Sequence, residues 1–463
     1  MKFELKDKIY LNGITTDTYH AIRQLLTIEN PAYAEAEKMG RWTGDMEQHL
    51  HFYEAIPNGL ACPRGAARKL YNECCAYHGE NVTIVDNRRT LDPVNFTFQG
   101  ELRPLQADAV KGFTRQDMGL LQSPTGAGKT VMALSLIADR KQPALIVVHT
   151  KELLNQWVDR IGTFLGIQAD EVGIIGNGKF QIGDHITVAM VQTLHKRADE
   201  VVPHIGHLIL DECHRAPAMQ YVKAIEQFDC KYILGLTATP YRRDGLGQVI
   251  QWHIGPIAGR INKDALVHAG SLVQAEAVFI PTGHISHTDP AEYYSKALSE
   301  LTGDLDRNMQ IAETVHKHNG HGITLILSDR REHCETIGDL LHHRHGIKAA
   351  VLTGQTPARV RQEIIRQLQS GRCDYLVATG QLIGEGFDLP GISTLVLATP
   401  VKFSGRLVQY VGRALRPAPG KGKALILDLV DDHGVFQAAA RSREQVYKQQ
   451  GIRVNAALQE GAA

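Results

Sequence analysis

What most restricts the fold of this chain is a series of short apolar runs separated by helical stretches, and the series occurs twice. The first set is LLQSP, ALIVVHT, ITVAMVQT, HLILDE and YILGLTAT, within residues 98–258. The second is VQAEAVFIP, ITLILSD, KAAVLTG, YLVATG, TLVLATP and ALILDLV, within residues 272–440. Runs that are apolar along their whole length suit strands covered on both faces, as in parallel sheets. Strand–helix alternation therefore predicts an α/β chain with two tandem domains, each a parallel sheet wrapped by helices. The glycine-rich stretch GPIAGRINKDALVHAG is expected to hold the hinge, at 259–271.

Residues 1–97 have a different texture and predict a small α+β domain of order β-α-β-α-β. KFELKDKIYL, HLHFYEAI and NVTIVD read as strands. TYHAIRQLLTI and PRGAARKLYNECCAYHG read as helices, the second with proline near its start and glycine at its end. Arg41 with Trp42, Arg64, Arg68 with Lys69, and Arg88 with Arg89 are expected either to rest on a duplex or to belong to a structural brace. Residues 441–463 are expected to form a charged helix and a frayed tail.

Composition narrows the function. Lysine plus arginine and aspartate plus glutamate number 50 each, so an anionic partner must be held by a local basic surface. No apolar run reaches the roughly 20 residues of a membrane helix, and the polar start MKFELKDKIY is not expected to be a signal peptide. Seven cysteines without paired spacing argue against a disulfide framework, so a cytoplasmic or other intracellular setting is expected. The clusters His316, His318, His321 and His342, His343, His345 are expected at solvated helix ends rather than around a metal.

The strongest chemical signal is SPTGAGKT, which follows an apolar strand and opens a helix. Ser123, Pro124, Thr125, Gly126, Ala127, Gly128, Lys129 and Thr130 make a loop whose backbone N–H groups wrap phosphates. Lys129 is expected on the β- and γ-phosphates and Thr130 on Mg²⁺. In LILDECH an apolar strand delivers two adjacent carboxylates at its C-terminal end, where open α/β sheets place their sites. Asp211 is expected to hold Mg²⁺ and Glu212 to orient and deprotonate the attacking water. Cys213 is expected to be a spacer. Downstream, QYVGRALRP sets Arg413 and Arg416 three residues apart, as arginine fingers for a γ-phosphate.

Taken in order, these segments resemble superfamily 2 helicases and translocases, whose core is two RecA-like domains with ATP between them. The resemblance implies further roles. Gln106 in LRPLQADAV would read adenine, with Arg103 nearby. VVHTKELLNQW and VAMVQTLHK would track a nucleic-acid strand. GLTATP would couple the sites through Thr237, Ala238 and Thr239. VATGQLIGEGFDLP would bring Gly386 and Asp388 to the ribose, and QYVGRALRP would add Gln409 to the catalytic set. Within the superfamily the chain is similar to the XPB, UvsW and phage branch-migration group. Arg242, Arg243 and Asp244 stand where XPB-like enzymes carry Arg-Glu-Asp.

The resulting expectation is a monomeric, ATP- and Mg²⁺-dependent DNA helicase or translocase. Its partner would be duplex, forked or four-way-junction DNA, with single strands also bound, and no membrane. Strand contacts are expected from Thr150, Lys151, Gln192 and Thr193 in the first domain and from Ser328, Thr353 and Thr379 in the second. The alternatives are an RNA helicase, a motor subunit of a restriction or defence complex, and a non-catalytic ATP-binding module.

Overall fold

The computed structural model describes residues 1–213, 222, 224–238, 246–318, 322–380, 382, 389, 391–401, 404–418 and 421–455. The chain divides into two compact units: Met1–Ser123 with Gly128–Ile261, and Pro124–Ala127 with Asn262–Ala463.

The leading segment of the first unit builds β1 (Lys2–Leu5), β2 (Ile9–Asn12), β3 (Thr27–Glu29), β4 (His49–His51), β5 (Glu54–Ile56), β6 (Gly59–Cys62) and β7 (Thr83–Asp86). Five of them form a sheet of order β5-β6-β2-β1-β7, while β3 and β4 pair separately. KFELKDKIYL is thus two strands rather than one. The polar run Lys6-Asp7-Lys8 turns the chain, with Lys6 N–H donating to Lys8 O at 2.9 Å, and Leu5 then pairs with Ile9. HLHFYEAI also splits, between the two sheets. The helix Pro31–Lys38 adds an element that apolar spacing does not reveal. Its start is nonetheless written in Asn30-Pro31, a side-chain cap followed by proline in the first turn.

This segment is not a free-standing module. Its core residues Phe3, Ile9, Leu11, Ile22, Leu60 and Leu70 pack in one cluster with Val249 and Trp252, from the helix Gly247–Ile254. Arg64 is buried and donates to Cys230 O at 2.7 Å. Arg89 pairs with Asp229 at 2.5 Å, and Arg88 with Asp117 at 2.9 Å. Three basic residues considered for a duplex surface therefore tie the segment to the next sheet of the unit. Trp42 and Arg41 remain exposed.

That sheet has eight strands: β8 (Met118–Gln122), β9 (Ala144–Val148), β10 (Gly173–Gly176), β11 (Lys179–Gln181), β12 (Ile186–Met190), β13 (His207–Leu210), β14 (Tyr232–Thr237) and β15 (Ile257–Arg260). The order is β11-β10-β12-β9-β13-β14-β8-β15, parallel throughout except for the β10–β11 hairpin. All five apolar runs of the first set are strands here. β9 and β13 are buried at every position, as a central parallel strand covered on both faces requires.

The second unit has seven parallel strands: β16 (Gln274–Pro281), β17 (Ile323–Ser328), β18 (Ala349–Leu352), β19 (Tyr375–Thr379), β20 (Ile392–Leu397), β21 (Lys423–Val430) and β22 (Arg453–Val454). Their order is β18-β19-β17-β20-β21-β16-β22. The six apolar runs of the second set are the first six of these strands.

The segment considered as a hinge is structured: Ile257–Arg260 pairs with β8, and Lys263–His268 is a helix capped by Asn262. Gly259 is there for contact, since a Cβ on it would stand 2.8 Å from Ala109 O. The closing helix runs Gly434–Gln449 and is anchored rather than merely charged. Arg443 makes a two-pronged ion pair with Asp428 at 2.8 and 2.7 Å, and Tyr447 donates to the same carboxylate at 2.8 Å. Burial beside Asp428 pushes the Tyr447 phenol well up. β22 then adds to the sheet edge, and residues 456–463 lie outside the described residues.

Candidate nucleotide site and strand track

β8 ends at Gln122, and Ser123 N–H donates to Thr237 O at 3.0 Å, fixing where the phosphate-binding loop leaves the sheet. Gly126 and Gly128 have φ of +86° and +87°, in the left-handed region that glycine enters without steric cost. Gly128 precedes the helix Lys129–Arg140, so the loop delivers Lys129 and Thr130 in the first helical turn with the helix N-terminus open to an anion. Ser123 and Ala127 are buried, and Thr130 is half-buried.

The helix Pro104–Thr114 brings Gln106 to this loop. The Gln106 side chain is buried, and its Oε1 accepts Arg103 N–H at 2.9 Å. A Cβ on Gly128 would stand only 2.4 Å from Gln106 Nε2, so any larger residue there would push the amide away. Arg103 itself is exposed.

Across from the loop, β13 delivers the carboxylate pair. Asp211 N–H donates to Val147 O at 3.0 Å, which continues the β9–β13 ladder one step and sets the carboxylate at the strand ends. Asp211 is buried; its Oδ2 accepts the indole N–H of Trp157 at 2.9 Å and its Oδ1 accepts Glu212 N–H at 2.9 Å. Burial, with Glu212 alongside, pushes the Asp211 carboxyl above the usual range. Glu212 has φ of +47°, a backbone region that costs a non-glycine residue roughly 1–2 kcal/mol. That turn aims its Oε1 at Lys129 Nζ, 3.8 Å away. Lys129 Nζ also reaches Ser123 O at 3.4 Å. Cys213 is buried and its thiol is pushed well up, which suits a spacer and not a nucleophile.

The Lys129 ammonium and the two carboxylates thus meet beyond the C-terminal ends of β8 and β13, with Thr130 next to Lys129 in the same helical turn. Oxygen donors such as Thr130 and Asp211 are the hard ligands that Mg²⁺ takes, usually with its own waters and substrate phosphates completing the octahedron. The donor set fits that ion.

In the second unit the helix Ser404–Ala414 carries Gln409 and a buried Arg413, and Arg416 follows the helix end, half-buried. The carbonyls of Ala414, Leu415 and Arg416 at the helix end are satisfied. Lys421 donates to Ala414 O, to Arg416 O at 2.8 Å and to Ile392 O at 2.5 Å, while Val273 N–H donates to Leu415 O at 2.9 Å. Burial lowers the Lys421 ammonium to about 8. Sequence spacing does not reveal this lysine, because the residues it serves precede it by five and more positions.

The strand-contact candidates all stand at or just past the C-terminal ends of parallel strands. Thr150 caps the helix Lys151–Leu165, accepting Leu153 N–H at 3.3 Å, and Lys151 is exposed in its first turn. Gln192 is exposed and donates to His149 O at 3.0 Å; Thr193 follows it in the short helix Val191–Leu194. Thr379 ends β19 and pairs with Ser328. Thr353 is mostly buried, its N–H donating to Thr356 Oγ1 at 3.0 Å. The Ser328 side chain departs from expectation. It is 1% exposed, and its hydroxyl is 2.8 Å from His333 Nδ1 while accepting Arg330 N–H at 3.1 Å. It shapes the turn after β17 instead of facing solvent.

Thr237 is buried at the end of β14 and Ala238 follows it. Thr239, Arg242, Arg243, Asp244, Gly386 and Asp388 lie outside the described residues. Among the described residues no group of three or more histidine, cysteine and acidic side chains could hold a metal; His316 and His345 instead stack at 4.5 Å between ring centres. No helix among the described residues is long and apolar enough to cross a membrane.

Residues 99–242 match the family described as the res subunit of type III restriction enzymes, and residues 306–418 match the helicase conserved C-terminal domain. The chain is 27% identical over 371 residues to a protein of Acanthamoeba polyphaga mimivirus whose name assigns it, provisionally, to the ATP-dependent RNA helicases, covering 77% of this chain and 69% of that one. It is 27% identical over 381 residues to the DNA 3'-5' translocase XPB2 of Sulfurisphaera tokodaii, covering 74% and 85%. The crystal structure of the Pyrococcus furiosus Hef helicase domain superposes with a TM-score of 0.50 at 16% identity, over 74% of this chain and 98% of that one, so the two-domain RecA-like fold is shared. The two helicase-family matches in series, with an XPB translocase among the relatives, support an ATP-dependent helicase, a hydrolase similar to the XPB type.

Proposed function

We propose that the chain is an ATP- and Mg²⁺-driven motor on DNA that moves along or remodels duplex and branched substrates as a monomer. The observation that carries this reading is the pairing of Glu212 with Lys129 at 3.8 Å, next to a buried Asp211, at the mouth of a glycine loop. Lys129 and the loop N–H groups hold the β- and γ-phosphates, and Gln106 contacts adenine. Thr130 and Asp211 would hold Mg²⁺, which would neutralise charge on the phosphate oxygens. Nucleotide draws Lys129 toward the phosphates, leaving Glu212 to orient the attacking water and take its proton. Arg413 and Arg416 stabilise the charge that develops on the transferred phosphoryl group, since guanidinium forks match phosphate oxygens.

The strand track follows the C-terminal strand ends, where Thr150, Lys151, Gln192, Thr193, Thr353 and Thr379 present hydroxyl, ammonium and amide groups and backbone N–H donors to a sugar-phosphate chain. Contacts of that kind position a strand and carry no sequence information. DNA is proposed as the track because a relative of high coverage is named as a DNA translocase, whereas the mimivirus relative bears an RNA helicase name. Phosphate release measured with single-stranded, duplex, forked and four-way-junction DNA and with RNA tests the reading. Stimulation by DNA above RNA is expected, and stimulation by RNA alone would reassign the track.

The match to a restriction-enzyme subunit favours a second reading, in which the chain is the motor of a larger defence complex. In that case the isolated chain would show little DNA-stimulated turnover until a partner protein is added.

A further inference from the structure

Trp157 lies two turns into the helix Lys151–Leu165, on its buried face with Leu154 and Ile161. Apolar packing explains the ring, but the indole N–H also needs an acceptor, and leaving it unpaired costs roughly 1–3 kcal/mol. The acceptor is Asp211 Oδ2 at 2.9 Å, with both side chains buried. Because Oδ1 of the same carboxylate accepts Glu212 N–H at 2.9 Å, one donor on each oxygen fixes both the place and the rotation of the group. The helix that supplies the indole begins at Thr150 and Lys151, two of the strand-contact candidates. One rigid element therefore carries strand contacts at its head and a direct bond to a site carboxylate on its flank.

We propose that Trp157 is a positioning residue that holds Asp211 in its metal-binding rotamer and couples that carboxylate to a nucleic-acid strand at the head of the helix. The proposal rests on reading Asp211 as the Mg²⁺ carboxylate. Coupling is reciprocal: if a strand at Thr150 and Lys151 changes the affinity for the magnesium nucleotide, the nucleotide changes the affinity for the strand by the same factor.

The test titrates a fluorescent ADP analogue onto the full chain, with and without Mg²⁺ and with and without oligothymidylate. Trp157→Phe removes the donor and keeps most of the ring volume. Its Mg²⁺-free affinity is expected within about twofold of wild type. The tightening that Mg²⁺ brings is expected to fall at least fivefold, and the shift caused by oligothymidylate to shrink to within twofold of none. In an Asp211→Asn background Trp157→Phe should add nothing, since both changes break one interaction. Trp157→His, whose ring can still donate, covers the case in which the phenylalanine chain does not fold, and should keep a larger Mg²⁺ effect than Asp211→Asn. Wild-type Mg²⁺ tightening in Trp157→Phe, or equal losses with and without Mg²⁺, would overturn the proposal and leave a packing residue. A wild-type chain that binds nucleotide with no response to Mg²⁺ would instead sink the reading of Asp211.

Discussion

Lys129 and Glu212 face each other at 3.8 Å, yet the two should fail differently when replaced. Lys129→Ala removes the loop's cationic side chain, so ATP binding and hydrolysis should both be lost. Glu212→Gln keeps the shape and loses the base; nucleotide should still bind, with turnover down by at least about a hundredfold. Nucleotide-binding titrations beside phosphate-release rates separate the two, and turnover within threefold of wild type in either variant would remove the assigned role. Arg413→Ala and Arg416→Ala should each cut turnover tenfold or more, since fingers of this type are worth roughly 10³–10⁵ in phosphoryl transfer. Much of the residue-scale chemistry is legible without coordinates, because a phosphate loop and a strand-end carboxylate pair are local in sequence. Trp157 is not. It sits in an i, i+4 apolar stripe where a tryptophan reads as core, and only the fold shows that its N–H meets a carboxylate 54 residues away.

Among the elements, the helix Ser404–Ala414 owes its end to Lys421, which fills the place that a glycine cap would otherwise occupy. A cation suits the carbonyl end of a helix, but its burial lowers the ammonium to about 8, below the ordinary lysine value of about 10.4. Between those two values the unfolded chain holds the proton more tightly than the folded one, so this residue's contribution to stability should rise with pH across that window. In Lys421→Met the rise should be missing, the melting temperature at pH 7 should drop by several degrees, and turnover should fall with it as the arginine helix frays. Melting curves from pH 7 to 10 check the sign; a wild-type chain whose stability falls relative to Lys421→Met above pH 8 would contradict it. Element identity follows the apolar runs closely where strands are covered on both faces, as in β9, β13 and β17. It is lost in the leading segment, where strands of three or four residues alternate too briefly for a period to show, and where Lys6-Asp7-Lys8 turns a run that looks continuous.

For the whole molecule, the leading 97 residues matter through what they cover. Their core includes Val249 and Trp252, and Arg64 and Arg89 reach Cys230 O and Asp229. A chain starting near residue 97 would bare these apolar side chains and leave the β14 neighbourhood without its arginines. It should be insoluble or lose basal ATPase. A soluble truncation that keeps its basal rate but loses preference for forks over single strands would show that the segment serves DNA after all. Composition cannot foretell this arrangement, because the same arginines suit a duplex surface or a protein interior equally well.

That shared core has a consequence for how such chains can diverge. Helicases are often pictured as a constant engine with exchangeable attachments, but here attachment and engine meet in one hydrophobic cluster. A graft that imports another leading segment must also bring partners shaped to Val249 and Trp252, or the seam will be left with voids or clashes. A substitution at Phe3, Leu11 or Leu70 is thus felt on the helix Gly247–Ile254 as well, and the two stretches, far apart in sequence, can be exchanged only as one piece.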